Sequence, residues 1–220
     1  AVKLQKMGKD TEAIDVYLRV LQIDSSHFFS KMNVGVALSQ IEKFDESLKC
    51  LDEAIEIRPD NPDVWNDKGT VLLMIKDYQA AINCFDQAIK LKPTYAAAYS
   101  NRGLALRHLD RFDEAIENFC EAIKNKRNYF GAIFNLANTF HLAKRFMEAL
   151  DKYDQAIGLE PMNLEPFYSR ALSLMEINKY DEAQASVEAG LIINPDHQKS
   201  KELRLKIIKF AKNLVQNWCG

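Results

Sequence analysis

Polar side chains recur at a fixed interval along the sequence, and hydrogen bonding is the chemistry that they can offer. An asparagine side chain has one acceptor and two donors, so it can pair with both backbone groups of an extended peptide. A ladder of such side chains predicts a surface that holds main chain without selecting side chains. Local hydrogen bonds within the fold are the alternative use. The column, spaced 34 residues apart, is Asn33, Asp67, Asn101, Asn135 and Ser169.

Histidine, cysteine and other potentially catalytic or metal-binding residues occur in the sequence, but without the spacing that catalysis or metal binding needs. The sequence contains no glycine-rich phosphate loop, nucleophile elbow, metalloprotease helix motif or paired CxxC motif. His108 and His141 fall at adjacent positions of consecutive predicted helices, but a metal site needs further ligands, and none is obvious. Cys50 and Cys84 occupy equivalent positions of a repeated pattern, which indicates small packing residues. The sequence therefore predicts no enzyme, no metal and no cofactor.

Two amphipathic helices in residues 62–93 would position one member of this column. Trp65 and Leu72 lie seven residues apart on one helical face, and Phe85 marks the inner face of the second helix. Bulky residues alternate with small ones along both inner faces, so the helices can pack closely. Pro93 then stops the second helix, because it has no N–H to donate and its ring clashes with the preceding turn.

The same helix pair recurs five times without an insertion. This period and pattern resemble the tetratricopeptide repeat along nearly the whole chain. The resemblance implies an all-α, right-handed superhelical solenoid of helix hairpins. Because neighbouring repeats share one continuous core, we expect a single domain over residues 1–220. The predicted full repeats are 28–61, 62–95, 96–129, 130–163 and 164–197.

Both ends depart from the full repeat. Residues 1–27 match the back part of one more repeat, with Leu4 near the end of a first helix and Ala13 and Tyr17 at core positions of a second. We therefore expect this chain to be a piece of a longer one. Residues 198–220 are predicted to form a capping helix that hides the last hairpin's apolar face. A membrane-surface element or a site for an acidic partner is the alternative use of this basic amphipathic helix. Its apolar stripe is Leu203, Ile207, Ala211, Leu214 and Trp218.

Two departures inside the repeats are also informative. Arg127 stands where a proline is expected, so that boundary is predicted to be a smoother turn. Lys68, Arg102 and Arg170 occupy a position that the family usually fills with leucine. Their aliphatic stems can cover apolar surface while their charges reach water, so we interpret them as structural.

The resemblance also implies where a partner binds. In this family the first helix of each hairpin lines a concave groove with its second, fifth, sixth, ninth, twelfth and thirteenth residues. Lysines at the second and fifth positions, which clamp the carboxylate end of heat-shock chaperones in one subgroup, are absent here. The candidate peptide-binding residues are Asn33, Asn66, Asp67, Thr70, Ser100, Asn101, Leu104, Arg107, His108, Phe134, Asn135, Asn138, His141 and Tyr168. Met32, Leu73 and Leu172 are expected to add apolar contacts.

Composition excludes several other classes of function. Hydrophobic residues make up 47% of the 220 residues, charged residues 27%, and the net charge is −2. This balance gives no general attraction to nucleic acid or to an anionic membrane. No apolar run approaches the roughly 20 residues that cross a bilayer. We therefore expect a cytoplasmic protein with a protein or peptide partner, and no nucleic-acid, membrane or small-molecule ligand.

The sequence thus predicts a protein–protein interaction scaffold or adaptor that binds an extended or helical peptide segment of a partner. One alternative is the substrate-targeting arm of a larger enzyme, such as a glycosyltransferase, since the tetratricopeptide part of O-linked N-acetylglucosamine transferase uses an asparagine ladder. A pentatricopeptide-like RNA reader is opposed by the 34-residue period and by the net charge. Self-association through the open N-terminal hairpin is a third alternative.

Overall fold

The computed structural model describes the backbone of residues 10–218 and the side chains of residues 11–211. Within these residues every regular element is a helix, and no strand occurs. The predictions for Leu4, Leu214 and Trp218 fall outside the described backbone or side chains. The helices are α1 (Asp10–Ile23), α2 (Phe28–Gln40), α3 (Phe44–Ile57), α4 (Pro62–Met74), α5 (Tyr78–Leu91), α6 (Ala96–His108), α7 (Phe112–Asn125), α8 (Phe130–Leu142), α9 (Phe146–Leu159), α10 (Leu164–Glu176), α11 (Tyr180–Ile193) and α12 (Gln198–Trp218).

The helices keep the predicted period. First helices of the hairpins have 13 residues and second helices have 14, and each predicted repeat begins with the first residue of a first helix. Helix α1 has the length and register of a second helix, as the pattern of residues 1–27 predicts. The all-α repeat solenoid is confirmed. The handedness of the superhelix and the capping role of α12 stay predictions.

The turn inside each hairpin contains a residue in the left-handed region. After α2, the Glu42 N–H donates to the Ser39 carbonyl (3.1 Å) and the Lys43 N–H to the Leu38 carbonyl (3.0 Å). This is the Schellman arrangement, which satisfies carbonyl groups at a helix end. None of the residues with positive φ in these turns is glycine. They are Glu42 (61°), Lys76 (67°), Asp110 (56°), Lys144 (60°) and Asn178 (60°).

The turn that lacks proline differs in conformation but not in length. Helix α7 ends at Asn125 and α8 begins at Phe130, the same interval as between other hairpins. Beyond Arg127, Asn128 adopts a φ of 57°. Asparagine tolerates this region because its short side chain hydrogen-bonds locally. The expected smoother turn is therefore replaced by a left-handed one.

The chain divides into two compact units, with unit 1 ending at Asp110 and unit 2 beginning at Arg111. The single domain over residues 1–220 stays a prediction. In unit 1, each helix from α1 to α6 packs on the next, and the first helices α2, α4 and α6 also contact one another in turn. Close approach explains Gly69: a Cβ there would lie 2.6 Å from Phe85 Cε1, inside van der Waals contact.

Unit 2 repeats this packing with different side chains. Helices α7 to α12 pack in sequence, and the first helices α8 and α10 contact each other. Its last core cluster joins Leu174 and Val187 to Leu203 and Ile207 of α12, all at most 5% exposed. Burying four such side chains contributes several kcal/mol, so α12 packs on the preceding hairpin through Leu203 and Ile207, two members of the predicted stripe.

Ion pairs link successive hairpins within each unit. In three first helices, the basic residue at the seventh repeat position contacts an aspartate of the preceding second helix, and each basic side chain is 24% exposed. The charges expected to reach water are therefore paired, which typically contributes at most about 1 kcal/mol. The Arg170 Nε lies 2.7 Å from its partner as an ion pair without hydrogen-bond alignment. The pairs are Lys68–Asp52, Arg102–Asp86 and Arg170–Asp154.

Candidate functional site

The candidate site is built from the side of each first helix that carries the second, fifth, sixth, ninth, twelfth and thirteenth repeat positions, called here the first-helix face. Unit 1 presents this face on α2, α4 and α6, and unit 2 presents it on α8 and α10. The period of 3.6 residues per turn places these positions on one side of a helix. Most of these side chains are half-buried or exposed, so they are not part of the hydrophobic core.

An amide cluster, Asn66, Thr70 and Asn101, occupies the face of unit 1. The Asn101 Nδ2 donates to Asn66 Oδ1 (3.1 Å) and approaches Thr70 Oγ1 (3.4 Å). The Thr70 hydroxyl in turn donates to the Asn66 backbone carbonyl (2.9 Å). Asn66 is 8% exposed and Asn101 is half-buried. The amide of α6 is thus held in a fixed orientation by two groups of α4.

A carboxylate with a shifted pKa lies beside this cluster. Burial first, and the negative charge of Asp63 second, raise the pKa of Asp67 to about 6, while a hydrogen bond from Asn66 opposes the shift. Both causes disfavour the charged form of the carboxyl group. Near neutral pH the face of unit 1 therefore carries a carboxylate close to its titration range.

An aromatic stack marks the edge of the same face. The His108 ring lies parallel to the Tyr78 ring at 4.7 Å between centroids. Burial, and then the positive charges of Arg107 and Lys76, lower the pKa of His108. Leu104 and Arg107 are half-buried beside it. Burial and the neighbouring positive charges thus favour the neutral form of the His108 ring at this edge.

The face of unit 2 includes the half-buried ring of Phe134, which packs against other aromatic rings. Phe134 lies 5.8 Å from Phe130 and 6.1 Å from Tyr153, measured between ring centroids. The Tyr153 hydroxyl donates to Asn138 Oδ1 (2.8 Å) and fixes that amide. Leu142 continues the apolar surface and is 52% exposed. Pairs of rings at these separations stabilise by about 0.5–1.5 kcal/mol beyond area burial.

The remaining predicted residues of unit 2 form local pairs. His141 Nδ1 lies 2.8 Å from Ser173 Oγ of the next first helix. Burial lowers the pKa of His141, and the charge of Glu176 opposes this shift. The Tyr168 ring meets the His197 ring edge-on at 5.9 Å. These contacts orient the rings without making a reactive pair, because Ser173 is fully buried.

The structure separates the predicted residues into two groups. Asn66 and Ser100 are 8% and 4% exposed, so they offer little surface to a ligand. Asn33 and Asn135 are half-buried, like Asn101. The Thr139 hydroxyl, itself buried, donates to the Asn135 backbone carbonyl (2.7 Å).

Sequence reasoning missed the contribution of Tyr153. The equivalent core positions in the other full repeats are Leu51, Phe85, Phe119 and Val187, none of which has a hydroxyl group. One signal could have been used. Tyr153 is the tyrosine in a column of otherwise apolar residues, and the first helix of its repeat carries an asparagine, Asn138, at the ninth position, so a hydrogen bond between them could be expected.

No group of three or more His, Cys, Asp or Glu side chains in the described part of the chain could hold a metal ion. Likewise, no helix among the described residues is long and apolar enough to cross a membrane.

Five full hairpins with one helix face outside the core define the class: an all-α helical-repeat scaffold for protein interactions. Residues 30–129 of the chain consist of tetratricopeptide repeats. Models of that repeat match residues 30–61, 50–83 and 96–129, and a further TPR repeat model matches residues 75–110.

Solved structures share the fold at low sequence identity. PilW, a widely conserved type IV pilus biogenesis factor, aligns with a TM-score of 0.85 at 15% identity, covering 92% of this chain and 94% of PilW. Pseudomonas aeruginosa PilF aligns with a TM-score of 0.79 at 17% identity, covering 93% of each chain. YrrB, a TPR protein with an unusual peptide-binding site, aligns with a TM-score of 0.68 at 17% identity, covering 84% and 96%. No curated protein sequence matches the chain.

Proposed function

We propose that this protein is a scaffold that captures a peptide segment of another protein on its first-helix faces. The observation that carries the proposal is a series of half-buried polar and aromatic side chains that the core does not require but that neighbouring groups hold in place. Asn101, Asn138 and Phe134 are the best examples. Side chains that are ordered before binding lose less conformational entropy when the partner arrives.

In unit 1, the expected contact is with the backbone of the partner. The Asn101 Nδ2 donates to Asn66 and approaches Thr70. These contacts hold the amide group in one orientation, so it does not rotate freely. An amide carries more than one hydrogen-bonding site. A peptide would therefore be met by a preset hydrogen-bonding group rather than by a flexible one.

In unit 2, the expected contact is with apolar side chains of the partner. Phe134 and Tyr168 are half-buried rings, and Leu142 exposes about half of its surface. Aromatic anchors of this kind dominate the binding energy of many interfaces. The peptide-binding site named for YrrB is a property of that protein, and it agrees with this use of a shared fold.

The probe is a set of peptides that bind the intact chain. They are selected from a random phage-displayed library. Two exposed face residues, Met74 (41% exposed) and Leu142 (52%), are each changed to glutamate. A buried charge in an apolar interface is costly, so each variant is expected to weaken binding of face-directed peptides at least about ten-fold.

Matched controls place the same charge on exposed apolar residues outside the face. Leu91→Glu pairs with Met74→Glu in unit 1, and Ile192→Glu pairs with Leu142→Glu in unit 2, since these residues are 40% and 82% exposed. Calorimetric affinities of the controls should stay within about two-fold of the parent. Equal losses in face and control variants, or no selected peptide at all, would contradict the proposal.

A further inference from the structure

Helix α12 stands at the register of a first helix but continues beyond its usual end. It begins at Gln198, 34 residues after Leu164, where α10 begins. Ser200, Leu203 and Ile207 face the preceding hairpin and are 1%, 5% and 0% exposed. The first helices of the hairpins end after 13 residues, whereas α12 runs for 21. A side of α12 that borders the one packed on α11 is therefore the side on which other first helices receive their own second helix.

On that side, α12 carries a large residue where first helices such as α2 and α4 carry a glycine. In α2 and α4 the eighth repeat position is glycine, because the second helix packs directly over it. A Cβ on Gly35 would lie 2.7 Å from Leu51 Cγ, and one on Gly69 would lie 2.6 Å from Phe85 Cε1. At the same position α12 carries Leu205, which is 65% exposed. A helix that covered this side would need a small residue opposite the leucine.

Basic side chains border this leucine. The outer face of α12 is defined here as Lys201, Arg204, Leu205, Ile208 and Lys209. The exposed Glu202 borders this face on the side of Lys209 and accepts a hydrogen bond from Gln198 (3.0 Å). Lys201 forms an ion pair with Asp196 at 3.2 Å. Arg204 and Lys209 are both exposed, and neither forms an ion pair with another of the described side chains.

An internal partner for Arg204 is suggested by register but is engaged elsewhere. Arg204 stands at the repeat position at which Lys68 and Arg170 pair with aspartates of the preceding second helix. The corresponding acidic residue, Glu188, accepts a hydrogen bond from Gln184 (2.8 Å) instead. The guanidinium group of Arg204 therefore remains available to a carboxylate from outside.

We propose that the outer face of α12 docks an acidic amphipathic helix of a partner protein, in the place that a second helix takes in the full repeats. The partner helix carries alanine, glycine or serine opposite Leu205 and carboxylates one turn to either side, which meet Arg204 and Lys209. Complementary charge sets both the orientation and the specificity of such a contact. A membrane-surface helix needs a broad apolar side, whereas here only Leu205 and Ile208 lie between basic residues.

The test uses the full chain and a fluorescein-labelled synthetic helical peptide with a central alanine flanked by glutamates at three- and four-residue spacing. Fluorescence anisotropy measures the affinity. The double change Arg204→Glu and Lys209→Glu is expected to weaken binding at least about ten-fold. The matched control, Lys199→Glu with Lys206→Glu, reverses the same number of charges on another side of α12 and should change affinity less than about three-fold. Leu205→Ala should weaken binding about three- to ten-fold.

Several results would overturn the proposal. One is equal weakening by the two double variants, and another is equal affinity for a scrambled peptide of the same composition, since either shows only general charge attraction. No binding at peptide concentrations up to about 1 mM is a third. Binding to vesicles containing phosphatidylserine, with no binding to the peptide, would assign the face to a membrane. A dimer that Leu205→Ala dissociates, measured by light scattering, would assign it to a second copy of the chain.

Discussion

The first-helix faces of the two units occupy the same repeat positions but have different chemistry. In unit 1, Asn66, Thr70 and Asn101 form a polar network next to Asp67, whose pKa is raised. In unit 2, the corresponding positions include the Phe134 ring, which packs beside Phe130 and Tyr153, and the amide of Asn138. The backbone scaffold is common to both, so the difference originates in a few side chains at fixed positions.

This contrast shows how a repeat separates folding from recognition. Core positions stay buried and largely apolar while their size varies between repeats, as Leu51, Phe85 and Val187 show at one position. Face positions vary in polarity because no second helix covers them. In the proposed function, the polar network of unit 1 would meet the main chain of a partner, and the aromatic residues of unit 2 would meet its side chains.

The largest expected effect concerns Tyr153, which serves both the core and the face of unit 2. Tyr153→Ala should lower the free energy of unfolding by about 3–5 kcal/mol, because it opens a cavity at a residue that is 1% exposed. Phe85→Ala, at the equivalent position of unit 1, should cost a similar amount. Tyr153→Phe keeps the ring but removes the hydrogen bond to Asn138, and should cost only about 0.5–1.5 kcal/mol.

Urea denaturation of these variants measures the comparison. Should Tyr153→Phe be neutral while Tyr153→Ala is costly, the hydroxyl group does not contribute to unit 2, and its aromatic face is held by packing alone.

The next effect concerns the carboxyl group of unit 1. Because the folded-state pKa of Asp67 is raised from 3.8 to about 6, protonation stabilises the fold; this contribution is present below about pH 4 and is lost as the pH rises through 6. Asp67→Asn removes the charge at every pH. It should therefore raise the free energy of unfolding by about 1–2 kcal/mol at pH 8, and the gain should shrink towards pH 4.

Asn135→Asp is the counterpart in unit 2, since it places a carboxyl group at the same repeat position. It should destabilise the protein more at pH 8 than at pH 4. A difference between Asp67→Asn and the parent that does not vary with pH, in urea titrations across this range, would rule out the raised pKa as its origin.

The smallest effect concerns the amide cluster. Asn101→Ala removes the donor to Asn66, a residue that is 8% exposed, and leaves a buried oxygen with one partner fewer. The expected cost is about 1 kcal/mol of unfolding free energy. Asn101→Asp keeps the shape but presents no donor, so it should cost at least as much. Thermal melts that match the parent would indicate that the network is not formed in solution.

Asn101 is therefore a poor position at which to test binding by alanine substitution. The spacing of the asparagine column predicts a solvent-facing residue whose loss affects binding alone. The structure instead gives the side chain a role between α4 and α6. Alanine substitution there mixes stability with affinity, which is why exposed residues such as Met74 and Leu142 are the better probes of binding.

Much of the fold can be predicted from helix-terminating and small residues that recur with the 34-residue period. Prolines such as Pro93 and the small residues at close helix contacts, such as Gly69, set where helices end and approach. The conformation of Asn128 did not follow, because a turn without proline has several solutions of similar energy. Side-chain pairs such as Tyr153–Asn138 also escaped prediction, since they depend on rotamers that a periodic pattern does not specify.

The left-handed turns inside the hairpins have a consequence for engineering the thermal stability of this protein. Each non-glycine residue with positive φ, such as Lys76 or Lys144, holds a conformation that glycine adopts without strain. Substitution by glycine at such a C′ position removes about 1–2 kcal/mol of strain and adds about 0.4–1 kcal/mol of unfolded-chain entropy, so the net gain is on the order of 0.5–1 kcal/mol. The turns recur once per 34-residue repeat, so gains at turns that lie far apart and have no common partner should add. The solenoid thus contains a recurring series of sites for stepwise thermostabilisation that lie outside the first-helix faces.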